Sequence, residues 1–301
     1  MKIIVAATPD VAIPTLEWLR DSQYELVSVI TQPDRPAGRG QSVRETGVSN
    51  WAARNGISCE KPESIEETAR LLEGADVLLT IGYGVLLPES ILQIPQYGCL
   101  NLHFSLLPRW RGAAPVQRAI EAGDEVSGVT VFQLDTGMDT GPIYSIKRFA
   151  LDSDITSDEL FVELGQLGVE AVHDSLKAIE AGVRPIPQSN EGATRARKIL
   201  KEECEINWNL DAQEISRKIR AFTSKPGAWT KFRGQVIKID SIDITEDKLP
   251  VGEIAVMQKH LLVGTGSQAL RIGFLTPAGK PRMDSASWLN GARLTNGERF
   301  G

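Results

Sequence analysis

The sequence predicts an α/β fold, a mostly parallel sheet with helices on both faces, followed by a small all-β domain, and three observations carry the prediction. The runs "KIIVAA", "LVSVITQ", "ADVLLTIGYG", "GCLNLHF" and "SGVTVFQL" are short, apolar and β-rich, while "IPTLEWLRDSQ", "VSNWAARNG" and "SIEETARLLEG" between them carry helical spacing. That alternation is what parallel strands joined by crossover helices produce. Next, "SDELFVELGQLGVEAVHDSLKAIEAG", 157–182, reads as one long amphipathic helix that packs on the sheet and ends at Gly182. Beyond about residue 204, the helical stretch "DAQEISRKIRAF" leads into "AWTKF", "QVIKIDSID", "GEIAVMQ", "HLLVGTG" and "ALRIGFL". Short strands punctuated by turns predict a small OB-like β-barrel. No G-x-G-x-x-G follows the first strand, so the sheet is expected to be Rossmann-like without binding a dinucleotide.

The stretch "VRPIPQSNEGATRARK" is polar, rich in Pro and Gly, and without apolar periodicity, which predicts a linker. The expected division is therefore 1–184, a linker at 185–203, and 204–301. A second breaker-rich stretch, "PDRPAGRGQSVR", predicts a surface loop.

Composition bounds the function. The chain has 301 residues, 42% of them hydrophobic, enough to fill a core in each of two domains. Lys and Arg number 33 against 39 Asp and Glu, so a net charge of -6 supplies no overall attraction to nucleic acid or an anionic membrane. Such binding has to come from a local patch. Cys59, Cys99 and Cys204 are far apart, odd in number and form no C-x-x-C, so neither a disulfide framework nor a zinc site is suggested. Nothing clusters His, Cys and carboxylates at metal-ligand spacing, so no metal is expected. The start "MKIIVAATPDVAIPTL" has an early Asp and two prolines, and no apolar run reaches bilayer length; a cytoplasmic protein is expected.

Chemistry concentrates in "CLNLHFSLLPRWRGAAPVQRAI". In an open α/β sheet, ligands settle beyond the carboxyl ends of the strands. Asn101 and His103 fall at such an end, and strand alternation places them on one face with Leu102 and Phe104 on the other. An amide donor beside an imidazole suits a carbonyl carbon that becomes a tetrahedral oxyanion. In "VFQLDTGMDTGPIY" a strand ends in two Asp-Thr-Gly steps, so Asp135 and Asp139 are both candidates for a carboxylate that fixes the imidazole tautomer and raises its pKa. Asn, His and Asp together make an acyl-transfer site without a side-chain nucleophile. Ser105 lacks the G-x-S-x-G elbow of a hydrolase serine. Arg35, Arg39 and Arg44 in the "DRPAGRGQSVR" loop, and Arg195, Arg197, Lys198 and Lys201 further on, offer local positive charge.

These residues resemble the 10-formyltetrahydrofolate-dependent formyltransferase family, and within it the methionyl-tRNA formyltransferases. "NLHFSLLPRWRGAAPVQRAI" and "GVTVFQLDTGMDTG" are similar to two diagnostic blocks, with matching separation from Asn101 to Asp139. "ATPD", "TQPDRPAGRG", "GYGVLLP", "LKEECEINWNLDAQEISRKIRAF" and "TPAGKPRM" follow the family order, so the likeness covers nearly the whole chain. The resemblance implies the formyltransferase fold, with a catalytic domain over 1–184 and a carboxyl-terminal tRNA-binding barrel. It implies formyl transfer from 10-formyltetrahydrofolate to the α-amino group of methionyl initiator tRNA, for translation initiation. A monomer is expected, with neither metal nor nucleotide cofactor, although the sequence itself does not give the oligomeric state. Asn101, His103 and Asp139 carry over as catalytic. Ser105, Leu106, Leu107 and Pro108 carry over as folate-binding, with Gly82, Tyr83 and Gly84 lining the pterin pocket. Arg35, Arg39, Arg44, Arg195, Arg197 and Lys198 are the implied tRNA contacts. Phe104, Ala7, Gln41, Ser42 and the Thr46-Gly47-Val48 run depart from the family pattern. The same chemistry on a nucleotide sugar or glycinamide ribonucleotide, and a non-catalytic RNA-binding module, are the rival readings.

Overall fold

The computed structural model describes residues 1–37 and 42–301, with only the backbone described for 35–37 and 42–44. Contacts divide the chain into two compact units, one of residues 1–115, 126–150 and 161–196, the other of 116–125, 151–160 and 197–301.

In chain order the elements up to residue 196 are β1 (Lys2–Ala7), α1 (Ile13–Asp21), β2 (Glu25–Ile30), β3 (Arg35–Ala37), β4 (Ser42–Arg44), α2 (Gly47–Asn55), β5 (Cys59–Glu60), α3 (Ile65–Leu71), β6 (Val77–Ile81), α4 (Glu89–Leu92), β7 (Cys99–His103), β8 (Arg111–Gly112), α5 (Pro115–Ala122), β9 (Val126–Gln133), β10 (Ile143–Ala150), α6 (Ser157–Glu180) and β11 (Arg195–Ala196). Seven strands form one sheet in the order β10-β9-β7-β6-β1-β2-β5. Five run parallel; β9 is antiparallel to β7 and β10 antiparallel to β9. The fold class is thus the Rossmann-like, mostly parallel one expected. Every residue of β6 is buried, as is all of β1 after Lys2, because both sheet faces are covered.

Helix ends follow local chemistry. Thr46 accepts from the Ser49 N–H at the start of α2, and Gly56 closes that helix at φ +68°. Gly47 sits close to the Asp10 side chain: a Cβ there would stand 1.7 Å from Asp10 Oδ1, an exposed carboxylate that would have to turn away. Ser64 caps α3 in the same way as Thr46 caps α2. The long helix α6 ends where the sequence indicated, with Gly182 at φ +70° shortly beyond it.

The second unit is built on α7 (Ala212–Phe222), β12 (Trp229–Phe232), β13 (Gln235–Ile244), β14 (Ile254–Met257), β15 (His260–Val263), β16 (Leu270–Pro277), β17 (Met283–Asp284) and α8 (Ser285–Ala292). Its antiparallel sheet runs β12-β13-β16-β15-β14, with β17 on β16, and curls into a half-barrel. Register shifts near Ile239 and Ser241 bend β13, as bulges do. Inside lie Ile215 and Ile219 of α7, Ile239, Leu261, Leu270 and Leu275, with Phe232, Trp288 and Phe300 in mutual aromatic contact. Residues 298–301 bridge the sheet's two edges: Ile254 N–H donates to the Glu298 carbonyl, and Gly301 N–H to that of Lys231. Sequence periodicity gave no hint of that closing segment.

Candidate active site

The site is built where β7 ends. Thr80 of β6 pairs with Asn101 in register, and its hydroxyl lies 3.0 Å from both the Leu100 carbonyl and Asn101 Oδ1. Donation to Oδ1 leaves the Asn101 amide N–H groups as the donors this side chain can offer a ligand. On the opposite face Leu102 fits against Gly168 of α6, where a Cβ would fall 2.7 Å from Leu102 Cδ2, and Phe104 meets Phe161 edge-on. The alternation read from the sequence therefore sorts these four side chains correctly. His103 is 5% exposed, with its ring edge-on to Phe132. His103 Nε2 lies 2.9 Å from the Trp110 carbonyl oxygen, which only accepts, so Nε2 carries the proton.

Of the two candidate carboxylates, Asp139 faces the imidazole. Asp139 Oδ2 stands 3.8 Å from His103 Nδ1 and accepts the Gly112 N–H at 2.7 Å. Asp139 adopts φ +55°, a left-handed conformation that Asp tolerates better than most residues. Asp135 is exposed and turned on its own loop, accepting from the Gly137 N–H and the Thr140 hydroxyl. The expected rise in the imidazole pKa is not found. Burial pushes His103 below the usual 6.5, and the Asp139 charge, pulling the other way, does not overcome it. A ring this deeply buried pays more for its charge than a carboxylate 3.8 Å away returns.

Ser105 is buried, and its hydroxyl donates to the Arg109 carbonyl at 2.6 Å, closing a turn. It is occupied as a turn-maker, not exposed as a nucleophile. Thr130 ties this run to β9, donating to the Ser105 carbonyl and accepting from the Leu107 N–H. Leu107 is buried, while Leu106 and Pro108 are half-buried. Gly82 and Gly84, at φ +56° and +75°, flank Tyr83, whose carbonyl accepts from Thr8 and Gln32 and so joins the loops after β1, β2 and β6. The Tyr83 side chain packs in the core with Ile4, Ile30 and Leu78, leaving only backbone from that residue for a ligand.

Arg39 lies outside the described residues; Arg35 and Arg44 are described by their backbones, which pair across β3 and β4. Arg195 is exposed on β11, and Arg197 and Lys198 are exposed in the second unit. Sequence reasoning missed Thr80, the Trp110 carbonyl, the Gly112 N–H and Gln188. Thr80 alone carries a signal, a hydroxyl inside the apolar run "VLLTI". Among the described residues no group of three or more His, Cys, Asp or Glu could hold a metal ion.

Comparison with known proteins shows the family. A model described as "Formyl transferase" matches residues 1–176, and "Formyl transferase, C-terminal domain" matches 198–293. The chain is 40% identical to a protein named methionyl-tRNA formyltransferase from Rhodococcus erythropolis, covering 98% of each. It is 40% identical to one of the same name from Neisseria meningitidis serogroup A, over the full length of both. Among solved structures, methionyl-tRNA formyltransferase from Clostridium thermocellum superposes with a TM-score of 0.61 at 19% identity, covering 82% of this chain and 95% of that one. HypX from Aquifex aeolicus, solved in complex with tetrahydrofolic acid, gives 0.69 at 19% identity over 96% of this chain. This chain spans 46% of HypX.

Proposed function

This chain belongs to the formyl transferase family, and we infer that it transfers the formyl group of 10-formyltetrahydrofolate to the α-amino group of methionyl initiator tRNA. The observation that carries the inference is the side-chain set at the end of β7: an amide donor, a buried imidazole and a carboxylate, with Ser105 engaged elsewhere. Such a set suits an acyl transfer in which the nucleophile is the substrate's own amine. The folate supplies the formyl group. The donor set fits it, because Asn101 Oδ1 is engaged by Thr80 and the amide N–H groups remain for an oxygen that gains negative charge.

In this reading His103, neutral through burial and with Nε2–H committed to Trp110, has Nδ1 as its basic atom. Nδ1 accepts the proton that the attacking amine loses. Asp139 then stabilises the imidazolium, whose charge in turn favours the oxyanion held by Asn101. His103 returns the proton to the departing folate nitrogen as the carbon–nitrogen bond breaks, and the cycle closes with the ring neutral. Folate contacts are assigned to Ser105, Leu106, Leu107, Pro108, Gly82, Tyr83 and Gly84, with Tyr83 contributing backbone.

Residues 1–184 are assigned to catalysis and 204–301 to tRNA binding, joined by 185–203. Arg35, Arg39, Arg44, Arg195, Arg197 and Lys198 supply the local positive charge that a chain of net charge -6 needs to hold RNA. A cytoplasmic monomer is part of the same reading. Among the described residues no helix is long and apolar enough to cross a membrane. Formyl transfer measured in parallel on charged initiator tRNA, charged elongator tRNA and an amino sugar tests the assignment. Turnover is expected on the initiator alone, and preference for the sugar amine overturns it.

A further inference from the structure

The stretch 186–196 touches both loops that hold the imidazole–carboxylate pair. Its anchor is Ile186, which exchanges two backbone hydrogen bonds with Ile143, at 2.7 and 2.8 Å. Two residues on, Gln188 Nε2 donates to the Asp139 carbonyl at 3.1 Å and to that of Gly141 at 2.6 Å. Gln188 Oε1 accepts twice from the Arg111 guanidinium, at 3.2 and 2.8 Å. Both protons and both lone pairs of this one amide are thus committed to the loops carrying Asp139 and Gly112. Further along, Thr194 Oγ1 accepts the Trp110 N–H at 2.9 Å, and the Thr194 carbonyl accepts the Arg111 N–H at 2.9 Å. Trp110 is the residue whose carbonyl fixes the His103 tautomer. The stretch then lies so close to Gly112 that a Cβ there would fall 2.6 Å from the Ala196 carbonyl oxygen.

We propose that residues 186–196 form a strap in which Gln188 and Thr194 are positioning residues, setting the spacing and tautomer of the His103–Asp139 pair. The physical reason is that the pair does not hold itself: at 3.8 Å the ring and carboxylate are beyond hydrogen-bonding distance, and both are fixed through backbone groups of the 110–112 segment, His103 by the Trp110 carbonyl and the Asp139 carboxylate by the Gly112 N–H. Gln188 holds the backbone of Asp139 while Thr194 holds that of Trp110, so one segment ties the two loops together. The inference rests on His103 and Asp139 being the acid–base pair of the proposed reaction.

The test compares Gln188→Ala, Thr194→Val and Thr194→Ser with wild type and Asp139→Asn, reading kcat and KM for charged initiator tRNA and for 10-formyltetrahydrofolate. Imidazole ¹⁵N spectra add a structural readout, tractable because the chain has three histidines, His103, His173 and His260. Misplacement of this kind typically costs about 10- to 100-fold in rate. Gln188→Ala and Thr194→Val are expected to lose that much in kcat with KM unchanged and the His103 signal displaced, and Thr194→Ser, which keeps the hydroxyl, to retain kcat. Thermal melts identify a variant that fails to fold, in which case the other decides. Wild-type kcat and an unmoved His103 signal in Gln188→Ala and Thr194→Val, with Asp139→Asn inactive, overturn the strap and leave the catalytic assignment standing. Losses confined to KM overturn it equally. Activity retained in Asp139→Asn overturns both readings.

Discussion

Asp135-Thr136-Gly137 and Asp139-Thr140-Gly141 are the same tripeptide, four residues apart on one loop, yet their carboxylates face different surroundings. Asp135 stays in solvent and serves its own turn through Gly137 and Thr140. Asp139 is drawn inward, its carboxylate to Gly112 and His103 and its carbonyl to Gln188. Local propensity is identical in the two, so the difference comes from which neighbours the sheet and the 186–196 stretch bring alongside. A turn carboxylate becomes a site carboxylate only by that company.

The largest test of this contrast is activity. Asp139→Asn keeps the volume and the tolerance of left-handed backbone but removes the charge, and formyl transfer is expected to fall by about 10²- to 10⁴-fold, the range for loss of acid–base function. Asp135→Asn should leave turnover near wild type. Asn101→Ala and His103→Ala should match Asp139→Asn, and their combinations should be far from additive because the three act as a unit. Equal losses at Asp135 and Asp139, measured as kcat/KM, break the comparison.

Stability comes next. A Cβ on Gly141 would fall 1.8 Å from the Gln133 carbonyl oxygen, a backbone atom that cannot turn away. One on Gly137 would fall 2.0 Å from Thr140 Oγ1, a side chain that can rotate. Gly141→Ala is expected to cost about 1–3 kcal/mol, as overpacking does. Gly137→Ala forfeits a hydrogen bond between exposed groups, about 1 kcal/mol at most. Urea midpoints for the two variants, at unchanged slope, check the order.

A smaller effect is the response to acid. Because the folded pKa of His103 lies below its ordinary 6.5, the unfolded chain binds a proton that the folded chain refuses as pH falls under 6.5. The stability from the neutral ring is therefore complete above 6.5 and is lost as pH falls through the lower folded value. Asp139→Asn removes the charge that opposes this shift, so acid destabilisation should extend to lower pH, whereas Asp135→Asn should leave the profile unchanged. Melting temperatures followed from pH 8 down to where the wild-type profile levels off separate the two; identical profiles, including the position of that levelling, would show that Asp139 does not act on the ring.

The sequence by itself determined the elements and much of the site. Periodicity identified β1, β2, β6, β7 and β9 of the sheet, α6 and barrel strands β12 to β16, because hydrophobic spacing follows backbone geometry and needs no distant partner, but it did not reveal β5, β10 or β17. The same alternation assigned Asn101 and His103 to one face and Leu102 and Phe104 to the other. The residue pattern alone left Asp135 and Asp139 level and the family resemblance chose Asp139, but only the tertiary structure supplies the physical reason, since Asp139 is held by Gly112, 27 residues away, and by Gln188, 49 residues away. It also set the direction of the His103 shift: a neighbouring carboxylate is legible as a letter in the chain, but the desolvation that outweighs it exists only once Phe132 and the surrounding core have closed over the ring. The stretch 186–196 is the clearest case of this division. Its Pro, Gly and polar residues look like a connection because its hydrogen bonds run to backbone groups of other loops, and contacts to backbone leave no pattern in side-chain type.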